Sequence, residues 1–255
     1  MSEQLNLRQQ IERDYHNNKY KTDSAPLTPS LVNTAYDFYQ NIIDRFAIGR
    51  ILDFGCGDGW VSINLAQRGH DVYGIDISIE LVNKARKWAQ ELGISHRAHF
   101  EEMTGENLLF QENFFDAVVG SAVLHHTDLE MALNSIHMVL KPGGKGIFIE
   151  PMNQNILLRI WRMFTPWRRS PTEKALTLNE INMIINKFPT TRLYFFIFSS
   201  ILSKGLMTIF PNIHLFNKFN LMLEKFDDLL ITHFPKLGKS CAVVVIELIK
   251  DEAPI

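Results

Sequence analysis

The chain has 255 residues, 46% hydrophobic and 21% charged, enough for one sizeable α/β core. A net charge of −2 argues against the strongly basic footprint of a duplex nucleic-acid binder. Two cysteines, Cys56 and Cys241, exclude a disulfide framework and a cysteine-rich zinc site, and reduced thiols point to the cytoplasm.

Residues 1–46 read as an N-terminal helical cap, with a loop over 22–30 that Pro26 and Pro29 break. The segment 1–13 is polar and holds no apolar signal core. Alternation then begins. Residues 50–54 form a short apolar strand that runs into glycines, and 60–68 form a helix stopped by Gly69. Residues 71–75 are a second strand. Ser78 is a suitable N-cap for the next helix, whose Leu81, Val82, Ala85, Trp88, Ala89 and Leu92 recur at helical spacing up to Gly93. Strands follow at 97–101 and 115–120.

Thr127 and Glu130 have the spacing of a capping box, ahead of a helix burying Leu129, Ala132, Leu133, Ile136 and Leu140. Pro142-Gly143-Gly144 should end it, and 146–150 make a fifth strand. A helix is expected over 155–164 and another after a second capping box, Thr177 with Glu180. Residues 192–198 and 241–249 supply the last two strands. The segment between them is rich in Phe, Leu, Ile and Met, and no run reaches the ~18 apolar residues of a membrane span. The expected architecture is α/β: a Rossmann-like, doubly wound, mostly parallel seven-stranded sheet with helices on both faces. An apolar helical insertion separates the last two strands. The whole reads as a single domain, with 1–46 as cap, 47–151 as core and 152–255 as substrate-side helices and closing strands.

The chemistry concentrates after the first strand. Gly55, Gly57 and Gly59 allow a sharp turn and a close approach of backbone to ligand, at the carboxyl end of the sheet where open α/β folds bind ligands. The spacing is Gly-x-Gly-x-Gly, and Trp60 stands where a dinucleotide fold needs a small residue. Asp53 precedes the first glycine, which suits a cationic ligand and repels a pyrophosphate. Asp76 ends the second strand, where a carboxylate can accept both protons of a ribose diol.

Ile51-Leu52-Asp53-Phe54-Gly55-Cys56-Gly57-Asp58-Gly59 resembles the first motif of class I S-adenosyl-L-methionine (SAM)-dependent methyltransferases of the broad type 11 group. Tyr73-Gly74-Ile75-Asp76-Ile77-Ser78 resembles their ribose-binding segment. Asn113-Phe114-Phe115-Asp116-Ala117-Val118-Val119, with Leu124-His125-His126 after it, resembles the fourth-strand motif. Leu140-Lys141-Pro142-Gly143-Gly144 resembles the element before strand five. The resemblance covers roughly residues 45–151 and implies SAM as cofactor, with S-adenosyl-L-homocysteine as product. It implies that Gly55, Gly57 and the backbone at Cys56 line the methionine part, that Asp76 holds the ribose, and that Ile77 lies against the adenine. Met103-Thr104-Gly105-Glu106 would flank the adenine's other side. Thr104 departs from the pattern, since many relatives place an aspartate there. Ser121 would sit near the methionine end. In similar enzymes an N-terminal helix closes over the cofactor, which brings Tyr15, His16 and Tyr20 to the site.

His125 and His126 are candidates to accept the acceptor's proton or to orient the acceptor, and His16 is a third candidate catalytic residue. Glu150, at the end of strand five, faces the same cleft. Arg159, Arg162, Arg168 and Arg169, with Trp161 and Trp167, form a basic cluster that reads as a solvated face or as a receiver of anionic groups. The apolar insertion reads as helix-on-sheet core, as the wall of a lipophilic pocket, as a dimer face or as a peripheral membrane contact. The expected activity is methyl transfer to a small, lipophilic acceptor, with oxygen favoured and no metal. A nicotinamide enzyme on the same fold, a non-catalytic SAM-binding protein, and an RNA or protein methyltransferase are the rivals. Monomer and homodimer both stay open.

Overall fold

The structure, a computed structural model, describes residues 5–19, 33–46, 49–163, 174–203 and 213–252. Helices α1 (Leu7–Lys19) and α2 (Asn33–Phe46) precede a seven-stranded sheet of order β3-β2-β1-β4-β5-β7-β6. Its strands are β1 (Arg50–Phe54), β2 (Asp71–Asp76), β3 (Ala98–Glu102), β4 (Phe115–Ser121), β5 (Leu140–Pro151), β6 (Thr190–Phe196) and β7 (Val243–Ile249). The first five are parallel, and β7 inserts antiparallel between β5 and β6. The chain winds outward from β1 through β2 to β3, then returns to β4 on the other side of β1. That reversal opens a crevice above the carboxyl ends of β1 and β4.

Strand side chains alternate between the two faces, so each strand feeds two cores. Ile51, Ala117, Ile147 and Val245 point to one face, where they meet Tyr39 and Ile43 of α2, Ile63 of α3 (Trp60–Gln67) and Val82 and Ala85 of α4 (Ile79–Glu91). Leu52, Val118, Phe148 and Ile246 point to the other, against Leu133 and Ile136 of α5 (Leu129–Val139) and Ile181 and Ile184 of α7 (Leu178–Lys187). Strands buried on both faces explain the near-continuous apolar runs of the parallel part of the sheet.

Several boundaries differ from the sequence expectations. Asp128, not Thr127, caps α5, its carboxylate accepting from the Met131 amide at 3.1 Å. The Thr127 hydroxyl instead donates to the Leu124 carbonyl and closes the short 3-10 turn Leu124–His126. The capping box of Thr177 and Glu180 is present. Strand β5 starts at Leu140 and runs through Pro142-Gly143-Gly144, because the Gly143 amide and the Gly144 carbonyl pair with Lys250 beyond β7. Leu92 is 42% exposed and Trp88 half-buried, so the inward face of α4 is narrower than its apolar pattern.

Strand β6 ends at Phe196, two residues early. Ile197 takes a left-handed φ of 64°, and the amides of Phe198, Ser199 and Ser200 turn onto the buried Asp227 carboxylate at 2.8–3.0 Å. Asp227 belongs to α8 (Ile213–His233), the described part of the apolar insertion. Helix α8 buries Phe216 but leaves Leu215, Met222, Phe226 and Leu229 exposed. Residues 204–212 of the insertion lie outside the described residues, as do Trp167, Arg168, Arg169 and the side chains of Trp161 and Arg162 in α6 (Ile156–Met163). Among the described residues no helix is long and apolar enough to cross a membrane.

Candidate active site

The turn after β1 is built from left-handed backbone. Gly55, Gly57 and Gly59 have φ of 74°, 55° and 89°, where a side chain is strained. At Gly55 space forbids one as well, since a Cβ would stand 2.3 Å from the Val123 side chain. The turn is pinned to β2 by the Cys56 amide, which donates to the Ile75 carbonyl at 2.8 Å, and by the Gly57 amide, which donates to Asp76 Oδ2 at 3.0 Å. Asp76 Oδ1 accepts from the Ser78 amide at 2.8 Å. Each Asp76 oxygen thus holds one backbone donor and keeps further lone-pair capacity. Burial raises the Asp76 carboxyl above its ordinary value, and the two amides act in the opposite direction.

A cavity of about 630 Å³ opens over this turn. Gly55, Gly57, Asp76, Ile77, Met103, Gly105 and Ser121, all named from the sequence, line it, as do His16, His125 and His126. Asp53, Cys56, Thr104 and Tyr15 do not line it, and Tyr20 lies outside the described residues. Asp53 is 2% exposed and faces α3 behind the turn, accepting from the Ser62 amide at 3.1 Å and the Ser62 hydroxyl at 2.6 Å. Burial pushes its carboxyl up to about 6, against the pull of those two donors. Its nearness to a cationic ligand is therefore at one remove, through the backbone of the turn. Cys56 is buried, and desolvation pushes its thiol far up, so a thiolate role at this turn is disfavoured.

Two histidine–carboxylate pairs stand side by side at the ends of β4 and β5. His125 Nδ1 lies 2.6 Å from Glu150 Oε2. The other Glu150 oxygen accepts from the amides of Val123 and Leu124 at 2.9 and 2.8 Å. These bonds fix a carboxylate that is 1% exposed, and it in turn fixes the imidazole. His126 Nδ1 lies 3.0 Å from Glu12 Oε2, and His16 Nε2 lies 3.7 Å from the same oxygen. The His125 and His126 rings are 4.1 Å apart between centroids.

Helix α1 forms one wall. Arg8 donates to the His126 carbonyl and to the Glu106 carboxylate, and Gln9 donates to Glu106 at 3.3 Å. Asn17 accepts from the Ser78 hydroxyl at 2.5 Å. The sequence reading missed Arg8, Gln9 and Glu12. Their signal was present: Arg8, Glu12 and His16 recur at i, i+4 and i+8, one polar stripe down a helix.

Residues 51–144 match the family model described as a methyltransferase domain, and the motifs at Ile51–Gly59, Tyr73–Ser78, Asn113–Val119 and Leu140–Gly144 all fall inside that segment. That segment is therefore similar to a methyltransferase domain, and it lies in a sheet of the doubly wound, Rossmann-like kind. More particularly, the chain is 37% identical over 108 residues to a ubiquinone biosynthesis O-methyltransferase of Aeromonas salmonicida, covering 42% of this chain and 44% of that one. It is 33% identical over 106 residues to a ubiquinone/menaquinone biosynthesis C-methyltransferase of Vibrio cholerae, covering 40% of each. The match thus spans less than half the length of these relatives. The geranyl diphosphate C-methyltransferase of Streptomyces coelicolor shares the fold, with a TM-score of 0.65 at 12% identity over 98% of this chain and 100% of that one.

Proposed function

We propose that the protein is a SAM-dependent methyltransferase, of one domain, acting on a small, lipophilic acceptor through oxygen. The observation that carries this reading is Asp76. Its carboxylate is half-buried and lines the cavity, held by the Gly57 and Ser78 amides, with lone pairs left for a vicinal diol. A cavity of about 630 Å³ falls within the roughly 300–1,000 Å³ typical of small-molecule sites. SAM, when bound, supplies a methyl group on a sulfonium, open to in-line displacement.

The chain's own residues then divide the work. Asp76 holds the ribose and the backbone at Gly55 and Gly57 receives the methionine part, with Ile77 and Met103 flanking the adenine. Helix α1 excludes water from above, which favours the alignment of acceptor and methyl. Val123, Ile149 and Val243 give the acceptor side an apolar wall. Of the histidines named from sequence, His125 is assigned the proton. Glu150 takes its Nδ1–H, which leaves Nε2 as the basic nitrogen. That nitrogen would take the proton that a hydroxyl acceptor gives up on methylation. The relatives named for O- and C-methylation in ubiquinone biosynthesis support a small, lipophilic acceptor. The two free, buried cysteines support a cytoplasmic setting.

The test is transfer of a labelled methyl group from SAM to a panel of lipophilic phenols, alcohols and carboxylic acids. Wild-type protein should label at least one hydroxyl acceptor. His125→Ala should slow its turnover by ~10²-fold or more while S-adenosylhomocysteine binding persists. Tight SAM binding with no acceptor labelled would support the non-catalytic rival instead.

A further inference from the structure

The cluster of Glu12, His16 and His126 takes no part in the proton step assigned above, yet it brings three metal-type donors to one point. We infer that it forms a binding site for a single divalent transition-metal cation at the wall of the cavity. One carboxylate oxygen and two imidazole nitrogens make up the cluster, and all three donor atoms lie within 4.8 Å of one another. Two histidines and one carboxylate is a donor set that suits zinc and iron(II), and it leaves coordination positions open.

One of the two carboxylate–imidazole distances fits a shared ion and the other is somewhat longer. Ligand atoms about 2.1 Å from one cation sit about 3.0–3.4 Å from each other at tetrahedral or right angles. Glu12 Oε2 lies 3.0 Å from His126 Nδ1 and 3.7 Å from His16 Nε2. The 3.0 Å approach also lacks the alignment of an N–H···O hydrogen bond at the His126 nitrogen.

The placement suits a ligand site. Glu12 and His16 stand one turn apart on the inward face of α1, and His126 comes from the loop after β4, so a bound ion would tie helix to core. The Glu12 side chain is 4% exposed, and both imidazoles face the same one of its oxygens. The His16 and His126 side chains, at 23% and 18%, leave a path for entry. All three residues line the cavity. The site itself stands on these residues alone. A role in binding an acceptor oxygen rests on the methyltransferase reading.

The full-length protein, stripped with a chelator and dialysed, should be titrated with Co²⁺ followed by visible absorption, and with Zn²⁺ by calorimetry. One equivalent of metal should bind and give a d–d spectrum. Glu12→Gln, His16→Ala and His126→Ala should each weaken binding at least ~10-fold, while His233→Ala, on an exposed histidine at the end of α8, leaves it unchanged. Should a variant fail to fold, imidazole NMR of the wild type decides, with Zn²⁺ shifting His16 and His126. No stoichiometric binding, or equal binding in all three folded ligand variants, overturns the site. S-adenosylhomocysteine affinity on the same stripped samples separates the outcomes. Its persistence without metal binding sinks the metal site alone, and its absence beside intact metal binding sinks the cofactor reading alone.

Discussion

Asp53 is held in the fold at a cost. The carboxyl has an ordinary value of 3.8 and stands at about 6 in the folded protein, with burial outweighing the Ser62 donors. Below the lower value it is protonated in both states and costs nothing. As pH rises toward the upper value, the unfolded chain releases the proton and the folded chain keeps it, so stability falls. Above about pH 6 the loss is complete, at about 3 kcal/mol on a scale of ~1.4 kcal/mol per unit. Asp53→Asn removes this titration. In denaturant melts it should gain on the wild type by up to about 3 kcal/mol more at pH 8 than at pH 4. A gain that is larger at pH 4 would contradict the assignment. At this scale the glycine turn and Asp76 were legible, because strand, turn and carboxylate are neighbours in sequence. The surroundings of Asp53 were not. Its partner is Ser62, nine residues on, and the sequence shows the charge without showing which way it turns.

Among the elements, α1 decides how closed the cavity is. Arg8 bridges Glu106, which is 7% exposed, and the His126 carbonyl. Removing the guanidinium strips a buried carboxylate of a charged donor and leaves its amide bond from Asp128 and the contact with Gln9. Arg8→Ala should therefore speed hydrogen exchange in α1 and weaken S-adenosylhomocysteine binding, while exchange in β1 and β4 stays slow. Unchanged exchange in α1 would mean that the helix docks through other contacts. The sequence predicted a helical cap but not its contacts, because Arg8 and Glu106 are 98 residues apart. The same limit explains the β6 boundary, since the carboxylate that ends the strand is Asp227, in another element. Asp128 at the cap of α5 is a local near miss: two adjacent residues could accept the amide, and the 3-10 turn had already engaged Thr127.

For the whole molecule, the sheet order places Gly55, Asp76, Ser121 and Glu150 at the carboxyl ends of four neighbouring strands, around the point where the winding reverses. That arrangement followed from alternating strands and helices, and so it was readable from residues 50 to 150. The last hundred residues were less so. The apolar insertion was visible as composition, and α8 resolves it into one buried polar and apolar edge, with Phe216, Asn220 and Asp227, and one exposed apolar edge. The central claim is that this crevice holds SAM with its ribose on Asp76. Calorimetry of S-adenosylhomocysteine against the wild type and Asp76→Ala tests it most directly. The account predicts one site per chain, weakened by about 1–3 kcal/mol in the variant as ribose hydroxyls lose their carboxylate partner. Equal affinity in the two proteins, or no binding to the wild type, would contradict it.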